Sequence, residues 1–336
     1  MPKAPLPSPE SVFPDDPEVR NAYQRVYSLQ DQQPLRMAIL GWMLIHAPSN
    51  QGRTQVAQDI NAATNDEEVF KLGNYLQSFF FNHFKFLAKK RTTTPSTHRS
   101  RPELEAVRQE ILNGLVSVPT SHNKAKEQAL IRDNYRCMLS GTIDSRSLQT
   151  TPALRTEILS NPLLNAGPTQ CCHILPQYIT QHLTMGESKQ IPPAVALVLR
   201  QFGGVMPDEL RGEGMHHLRN IMTLENGIHI SFDDLLIWLE PVEGEEHQYE
   251  FRRELPIHQN VPDVLNFTTM HEGLSFPDRQ YLALHAACAK VVHMSGAAEL
   301  IDKLLEEMED TKILSEDGSS SQLLEFLLPN ESVMVS

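Results

Sequence analysis

Four polar residues stand in otherwise apolar stretches of this sequence and carry side chains that could do chemistry together: His173, Asn220, His229 and Asp233. Asp233 follows His229 by four positions, so both side chains share one face if a helix begins near Asn226. Two ligand-type side chains one helical turn apart can hold one cation. The spacing therefore predicts a cation site on this helix.

His173 lies in the stretch TQCCHILPQY and could act as a general base. An unperturbed imidazole titrates near physiological pH, so it can take a proton from water. Asn220 could orient that ring and leave the correct nitrogen unprotonated. Together with a cation on the scissile phosphate, these parts would suffice for metal-assisted hydrolysis of a phosphodiester.

The stretches that carry these residues resemble the HNH nuclease family. The similar segments are RDNYRCMLSG, CHILP, NIMTLENGIHISFDDLLIWLEPV and YEF, over roughly residues 129–253. More narrowly, the pattern is similar to fungal HNH-domain proteins with flanking helical regions. The resemblance implies a ββα-metal fold, one divalent ion, and cleavage of DNA or RNA.

The resemblance also implies a role for each residue. His173 is similar to the family's general base, Asn220 to the Asn that braces it, and His229 to the helix-borne metal ligand. Asp233 stands where some members have a second histidine, and its carboxylate would still ligate. Cys172 takes the position where many active members carry Asp or His as a ligand. It is therefore either a third ligand or a buried small side chain.

The expected cofactor is one divalent ion, Mg²⁺ or Mn²⁺, with Zn²⁺ as the alternative if the Cys172 thiolate ligates, because magnesium prefers hard oxygen ligands. On a strand, Cys172 and His173 point to opposite faces, so only one of them need enter the metal site. The same divergence disfavours a Cys-His hydrolase built on Cys171 or Cys172.

We expect an α+β fold to position these residues. The resemblance implies its ββα-metal core, and the patterns along the chain predict an added hairpin and a helical insertion between N- and C-terminal helical regions. Apolar periodicity predicts helices over about 16–87, 102–115 and 123–134, and from residue 277 onward with a break at SGAA. YRCMLSG, TQCCHIL and NIMTL are typical of strands, and ENGIHISFDDL would carry the helix. The strands of LLIWLEPV and HQYEFRREL flank a turn, and IPPAVALVLRQFGG begins the insertion.

Composition shifts and the resemblance to the HNH family together predict four parts of the chain. These are a disordered tail (1–15), an N-terminal helical region (16–120), the HNH nuclease domain (121–255) and a C-terminal helical region with a Ser-rich acidic tail (256–336).

Charge bears on the expected partners. The formal net charge of −13 argues against a generic nucleic-acid binder, because Lys and Arg supply most of the non-specific affinity for phosphate. A local basic segment could still serve a polyanion, although exposed linkers also collect such charges. His216 and His217 could touch phosphate or lie in a surface loop. The candidate nucleic-acid-binding residues are Lys85, Lys89, Lys90, Arg91, Arg99, Arg101 and His217.

Sequence features of the whole chain predict an intracellular protein of the nucleus or cytoplasm, not a secreted one. The start is rich in proline and acidic residues and has no apolar segment typical of a secretory signal. We expect no membrane partner, because no run reaches the roughly 18 apolar residues of a span. The four cysteines form no CxxC pair. A protein partner could bind through the helical flanks, and the oligomeric state stays open.

Two functions follow as hypotheses. The first is a metal-dependent HNH-type endonuclease that hydrolyses DNA or RNA, with His173 as general base and the ion on the His229 helix. The second is a catalytically degenerate HNH module that binds nucleic acid or protein without cleavage, which Cys172 and the acidic net charge favour.

Overall fold

The structure is a computed structural model that describes residues 4–91, 108–109, 118–176, 193–269, 271 and 273–310. Within these ranges it describes the backbone alone at 81–91, 193, 305 and 307–310. The described residues are mainly helical and include small sheets, as expected for an α+β protein.

The described elements are named in chain order. The α-helices are α1 (Pro17–Leu29), α2 (Pro34–Ile45), α3 (Asn50–Ala62), α4 (Asp66–Arg91), α5 (His122–Arg132), α6 (Ser147–Thr150), α7 (Pro152–Ser160), α8 (Pro193–Ala196), α9 (Asn226–Asp233), α10 (Arg279–Ser295) and α11 (Ala297–Asp310). The strands are β1 (Ile143–Asp144), β2 (Ala166–Gly167), β3 (Thr169–His173), β4 (Ile221–Glu225), β5 (Ile237–Pro241), β6 (Gln248–Arg253) and β7 (Val264–Asn266). Shorter turns are the 3₁₀ helices Pro9–Ser11, Pro207–Leu210, Gly212–His216 and Leu218–Asn220, and the π-helical turn Leu197–Phe202.

The chain forms two compact units whose segments alternate along the sequence. Unit 1 combines 1–95, 192–204 and 287–336, and unit 2 combines 96–191 and 205–286. The predicted insertion therefore packs in unit 1, although it interrupts the segments of unit 2. A Cβ atom at Gly52 would lie 2.1 Å from the backbone oxygen of Phe202, so this glycine permits the close approach of the insertion to α3.

The N-terminal segment differs from its expectation. Residues 1–15 were expected to be a disordered tail, but residues 4–15 contain a 3₁₀ turn and pack against α1 and α2 of the same unit. Leu6 is buried over Gly41, where a Cβ atom would lie 2.6 Å from Leu6 Cδ2. The Tyr23 hydroxyl donates to the Pro7 carbonyl at 2.8 Å. Apolar burial and this bond hold a segment whose proline-rich composition indicated disorder.

The described residues of unit 2 form three small sheets. β1 pairs with β2 in parallel, β3 pairs with β4 antiparallel, and β5, β6 and β7 form an antiparallel sheet. The predicted hairpin is present as β5–β6, and β7 was not predicted. The apolar core beneath β3 and β4 contains Ala125, Ala129, Leu130, Ile131, Tyr135, Ile143, Leu154, Cys171, Leu218, Ile221 and Leu274.

The stretch YRCMLSG was predicted to be a strand, and this prediction was wrong. Residues 135–141 are mostly turn, with an isolated bridge between Arg136 and Ile143. Asn134 and Tyr135 have positive φ angles of 50° and 58°, and this left-handed backbone cannot continue a strand. Gly141, with a φ of 72°, closes the turn onto Cys137.

Other predicted elements have mixed outcomes. The break at SGAA is confirmed, because α10 and α11 are separate helices and Gly296 has a φ of 80°. The basic linker at 91–103, most of the helix predicted over 102–115 and the Ser-rich tail lie outside the described residues. The boundaries predicted at 120 and 255 stay predictions. Among the described helices, none has the length and apolar character needed to cross a membrane.

Candidate functional site

The site is built on β3, β4 and α9 of unit 2. In the antiparallel pair, Cys172 lies opposite Met222 and His173 opposite Ile221. α9 begins at Asn226, directly after β4, as the sequence predicted. The backbone N–H of Asn226 donates to the carbonyl of Pro168 at 3.2 Å. The start of the helix is therefore fixed beside the start of β3.

Side chains of β3 point alternately to the two faces of the strand, and the two faces have different contacts. Gln170 and Cys172 meet His229 of α9, whereas Cys171 belongs to the apolar core. On the same side as Cys171, the Thr169 hydroxyl donates to Asp144 at 2.7 Å. The neighbours Cys172 and His173 consequently enter two different clusters, as strand geometry predicted.

The first cluster, called the Cys172 cluster, consists of Cys172, His229 and Asp233. One potential ligand atom from each lies within 4.8 Å of the other two. Nε2 of His229 is 3.4 Å from Oδ2 of Asp233. Cys172 is 0% exposed and His229 is 8% exposed, so the sulfur and the imidazole are shielded from bulk water. Sulfur, nitrogen and oxygen together form a donor set that suits zinc.

Gln170 orients the imidazole of His229. Its Oε1 lies 3.1 Å from Nδ1 of His229. An amide oxygen can only accept, so this bond places a ring proton on Nδ1 and directs Nε2 toward Asp233. Either a second proton or a shared cation then fits between Nε2 and the carboxylate. The residues of the Cys172 cluster therefore meet the chemical requirements of a divalent ion.

The second cluster, called the three-histidine cluster, consists of His122, His173 and His216. Their ring nitrogens also lie within 4.8 Å of one another, and Nε2 of His173 is 3.3 Å from Nδ1 of His216. The rings of His122 and His173 stack at 5.5 Å. His173 is 8% exposed, whereas His122 is exposed. Burial lowers the pKa of His216, although Glu213 opposes the shift, so the neutral form of this ring is favoured.

Asn220 braces the backbone beside His173 and His216. The amide is 0% exposed. Its Oδ1 accepts from the Leu175 N–H at 2.8 Å, and its Nδ2 donates to the carbonyls of Leu175 at 3.1 Å and Met215 at 3.2 Å. Asn220 was predicted to orient the ring of His173. Its described bonds join the chain after His173 to the turn that carries His216.

A buried ion pair supports β4, and neither of its residues was predicted to belong to the site. Nε of Arg132 lies 2.6 Å from Oδ1 of Asp133, and both side chains are buried. Arg132 also donates to the carbonyls of Leu218 at 2.9 Å and Ile221 at 2.8 Å. Asp133 accepts from the Thr223 N–H at 3.1 Å. The end of α5 is thus tied to the strand that leads into α9.

The predicted nucleic-acid-binding residues are described only in part. His217 is partly buried, and its Nδ1 accepts from the Arg219 N–H at 3.2 Å. Burial and, to a lesser extent, Arg219 lower its pKa. Arg99 and Arg101 lie outside the described residues. The backbone alone is described, within α4, for Lys85, Lys89, Lys90 and Arg91.

His122 and Gln170 were not among the residues predicted for the site. Gln170 had a usable signal, because it lies two positions before Cys172 and therefore on the same strand face. His122 had none, because only the packing of α5 against β3 brings it to His173.

Comparisons with known proteins address the family. Residues 137–240 match the model of an HNH endonuclease family. The match includes Cys172, His173, Asn220, His229 and Asp233 and ends within β5. Neither the curated proteins nor the solved structures compared with this chain gave a match. The narrower resemblance to fungal proteins stays a prediction. Residues 137–240 therefore belong to the HNH endonuclease family.

Proposed function

We propose that unit 2 is a metal-dependent HNH-type endonuclease that hydrolyses phosphodiester bonds of DNA or RNA. The observation that carries the proposal is the convergence of Cys172, His229 and Asp233 within 4.8 Å, inside the segment that matches the HNH endonuclease family. The antiparallel pair β3–β4, followed at once by α9, supports a ββα-metal arrangement.

The Cys172 cluster would hold the ion. The Cys172 thiolate, Nε2 of His229 and the Asp233 carboxylate are its proposed ligands. This donor set favours Zn²⁺ over Mg²⁺, which prefers an all-oxygen environment. When bound, a divalent ion stabilises negative charge on the scissile phosphate and the leaving oxygen. Gln170 would keep His229 in the tautomer that presents Nε2.

His173 would act as the general base. It follows Cys172 at the end of β3 and projects to the other side of the strand, so base and ligands would flank the strand end. Asn220 fixes the backbone at Leu175 and thereby limits the movement of the imidazole. A neutral imidazole is the form that takes a proton from water.

The test is cleavage of plasmid DNA, single-stranded DNA and RNA by the full chain, first stripped with chelator and then supplied with Mg²⁺, Mn²⁺, Ni²⁺ or Zn²⁺. We expect cleavage that chelator removes and metal restores. His173→Ala should lower cleavage by about two to four orders of magnitude while the Cys172 cluster still binds metal. The control is His271→Ala, which removes a histidine outside both clusters. Unchanged cleavage by His173→Ala would contradict the assigned base.

A second candidate function is a degenerate HNH module that binds nucleic acid or protein without cleavage. The observation that favours it is that the proposed ligand and the proposed base are both shielded. Cys172 is 0% exposed, and Nε2 of His173 faces His216 at 3.3 Å. It predicts binding of labelled DNA or RNA in fluorescence anisotropy without metal-restored cleavage. Metal-restored turnover that His173→Ala abolishes would rule it out.

A further inference from the structure

We propose that His122, His173 and His216 form a second metal site, which is distinct from the Cys172 cluster and binds Zn²⁺ through three imidazole nitrogens. Each histidine stands at the end of a different element: the first residue of α5, the last of β3 and the last of the 3₁₀ helix Gly212–His216. The site lies within unit 2. It does not depend on whether the chain cleaves nucleic acid.

The spacing of the nitrogens fits a tetrahedral ion. Two nitrogens bound to one zinc ion at about 2.0–2.1 Å lie about 3.3–3.4 Å apart. Nε2 of His173 and Nδ1 of His216 are 3.3 Å apart, which is slightly longer than the usual hydrogen-bond range of about 2.7–3.2 Å. The other separations are at most 4.8 Å. Because His122 is exposed, closing the set would move a side chain at the surface and not one in the core.

The pairing of His173 with His216 is fixed by buried structure. Asn220 bonds the backbone of Leu175, two positions after His173, and that of Met215, directly before His216. The turn that leads into His216 is also close-packed. A Cβ atom at Gly214 would lie 2.2 Å from the backbone oxygen of Glu209. Two of the three proposed ligands are therefore preorganised before any metal arrives.

The donor set differs chemically from that of the Cys172 cluster. Three neutral imidazoles suit Zn²⁺ and its neighbours Co²⁺, Ni²⁺ and Cu²⁺, and they leave a fourth coordination position for water or another small ligand. The exposed His122 supplies an entry path. One consequence rests on the proposed function: a metal bound to His173 would occupy the general base, so zinc at this site would inhibit cleavage.

Cobalt(II), which replaces zinc and absorbs visible light, distinguishes the two sites. We expect the full wild-type chain to bind about two equivalents of Co²⁺, and Zn²⁺ to displace both. The Cys172 cluster should give a near-ultraviolet sulfur-to-cobalt charge-transfer band, which a three-imidazole site cannot give. His229→Ala should lose that band and keep one equivalent with visible d–d absorption. The double variant His229→Ala/His122→Ala should lose this equivalent as well. The control double variant His229→Ala/His271→Ala should keep it.

Two results would overturn the proposal. One is that the single variant His229→Ala and the double variant His229→Ala/His122→Ala bind the same amount of cobalt. The other is that the wild-type chain binds only one equivalent of Co²⁺ at saturation and that this equivalent gives the charge-transfer band. This second result needs no variant, so it decides the question even if the variants do not fold. In the cleavage assay, His122→Ala should relieve inhibition by excess Zn²⁺. If the wild-type chain does not cleave, the proposed function fails while the cobalt titration still decides on the second site.

Discussion

Replacement of Gln170 tests whether His229 is held as a metal ligand. Oε1 of Gln170 lies 3.1 Å from Nδ1 of His229, and Leu has a similar size but no acceptor. Loss of such a partner typically costs about 10–100-fold in metal affinity. Because Gln170 is exposed, water can replace part of the bond. We therefore expect Gln170→Leu to weaken zinc binding by the lower end of this range, about tenfold or about 1.4 kcal/mol.

The measurement is competition for Zn²⁺ between the protein and a chromophoric chelator. All variants also carry His122→Ala, which removes the second proposed site, so that the affinity measured is that of the Cys172 cluster. Gln170→Glu keeps an acceptor and should bind at least as tightly as wild type. Gln248→Leu is the matched control, because Gln248 bonds Asn266 at 2.8 Å on the β6–β7 pair. Equal zinc affinities for Gln170→Leu and Gln248→Leu would refute the reasoning.

Three further predictions concern the surrounding framework. Arg132→Met removes the cation beside the buried carboxylate of Asp133 and should lower the free energy of unfolding by about 3–5 kcal/mol in urea, and an unchanged midpoint would contradict this. Gly214→Ala places a methyl group 2.2 Å from the Glu209 oxygen and should cost about 1–3 kcal/mol in the same assay; wild-type stability would show that the turn can relax. Burial lowers the pKa of His258 from its ordinary 6.5, so the unfolded chain binds the proton more tightly and stability should fall as the pH drops below that value. His258→Gln should reduce this pH dependence, and an unchanged slope would contradict the role of His258.

Local regularities of the backbone allowed part of the site to be predicted from the sequence. The two-residue period of a strand predicted that Cys172 and His173 serve opposite sides of β3. The turn of a helix predicted that His229 and Asp233 share a face, and their nearest polar atoms lie 3.4 Å apart. Both predictions need only a few consecutive residues.

Contacts between distant segments could not be predicted in the same way. His122 reaches His173 through the packing of α5 on β3. Asn220 was expected to orient the ring of His173, but the spacing gave no sign that its buried amide bonds the backbone groups of Leu175 and Met215. The left-handed residues Asn134 and Tyr135 likewise turn a strand-like apolar pattern into a tight turn.

The position of the bound ion would show directly whether Cys172, His229 and Asp233 hold a metal. Crystals of the full chain soaked with Zn²⁺ would be measured on both sides of the zinc absorption edge. We expect an anomalous difference peak within bonding distance of Sγ of Cys172, Nε2 of His229 and the carboxylate of Asp233. A well-ordered structure with these side chains in place and no peak between them at saturating Zn²⁺ would contradict it.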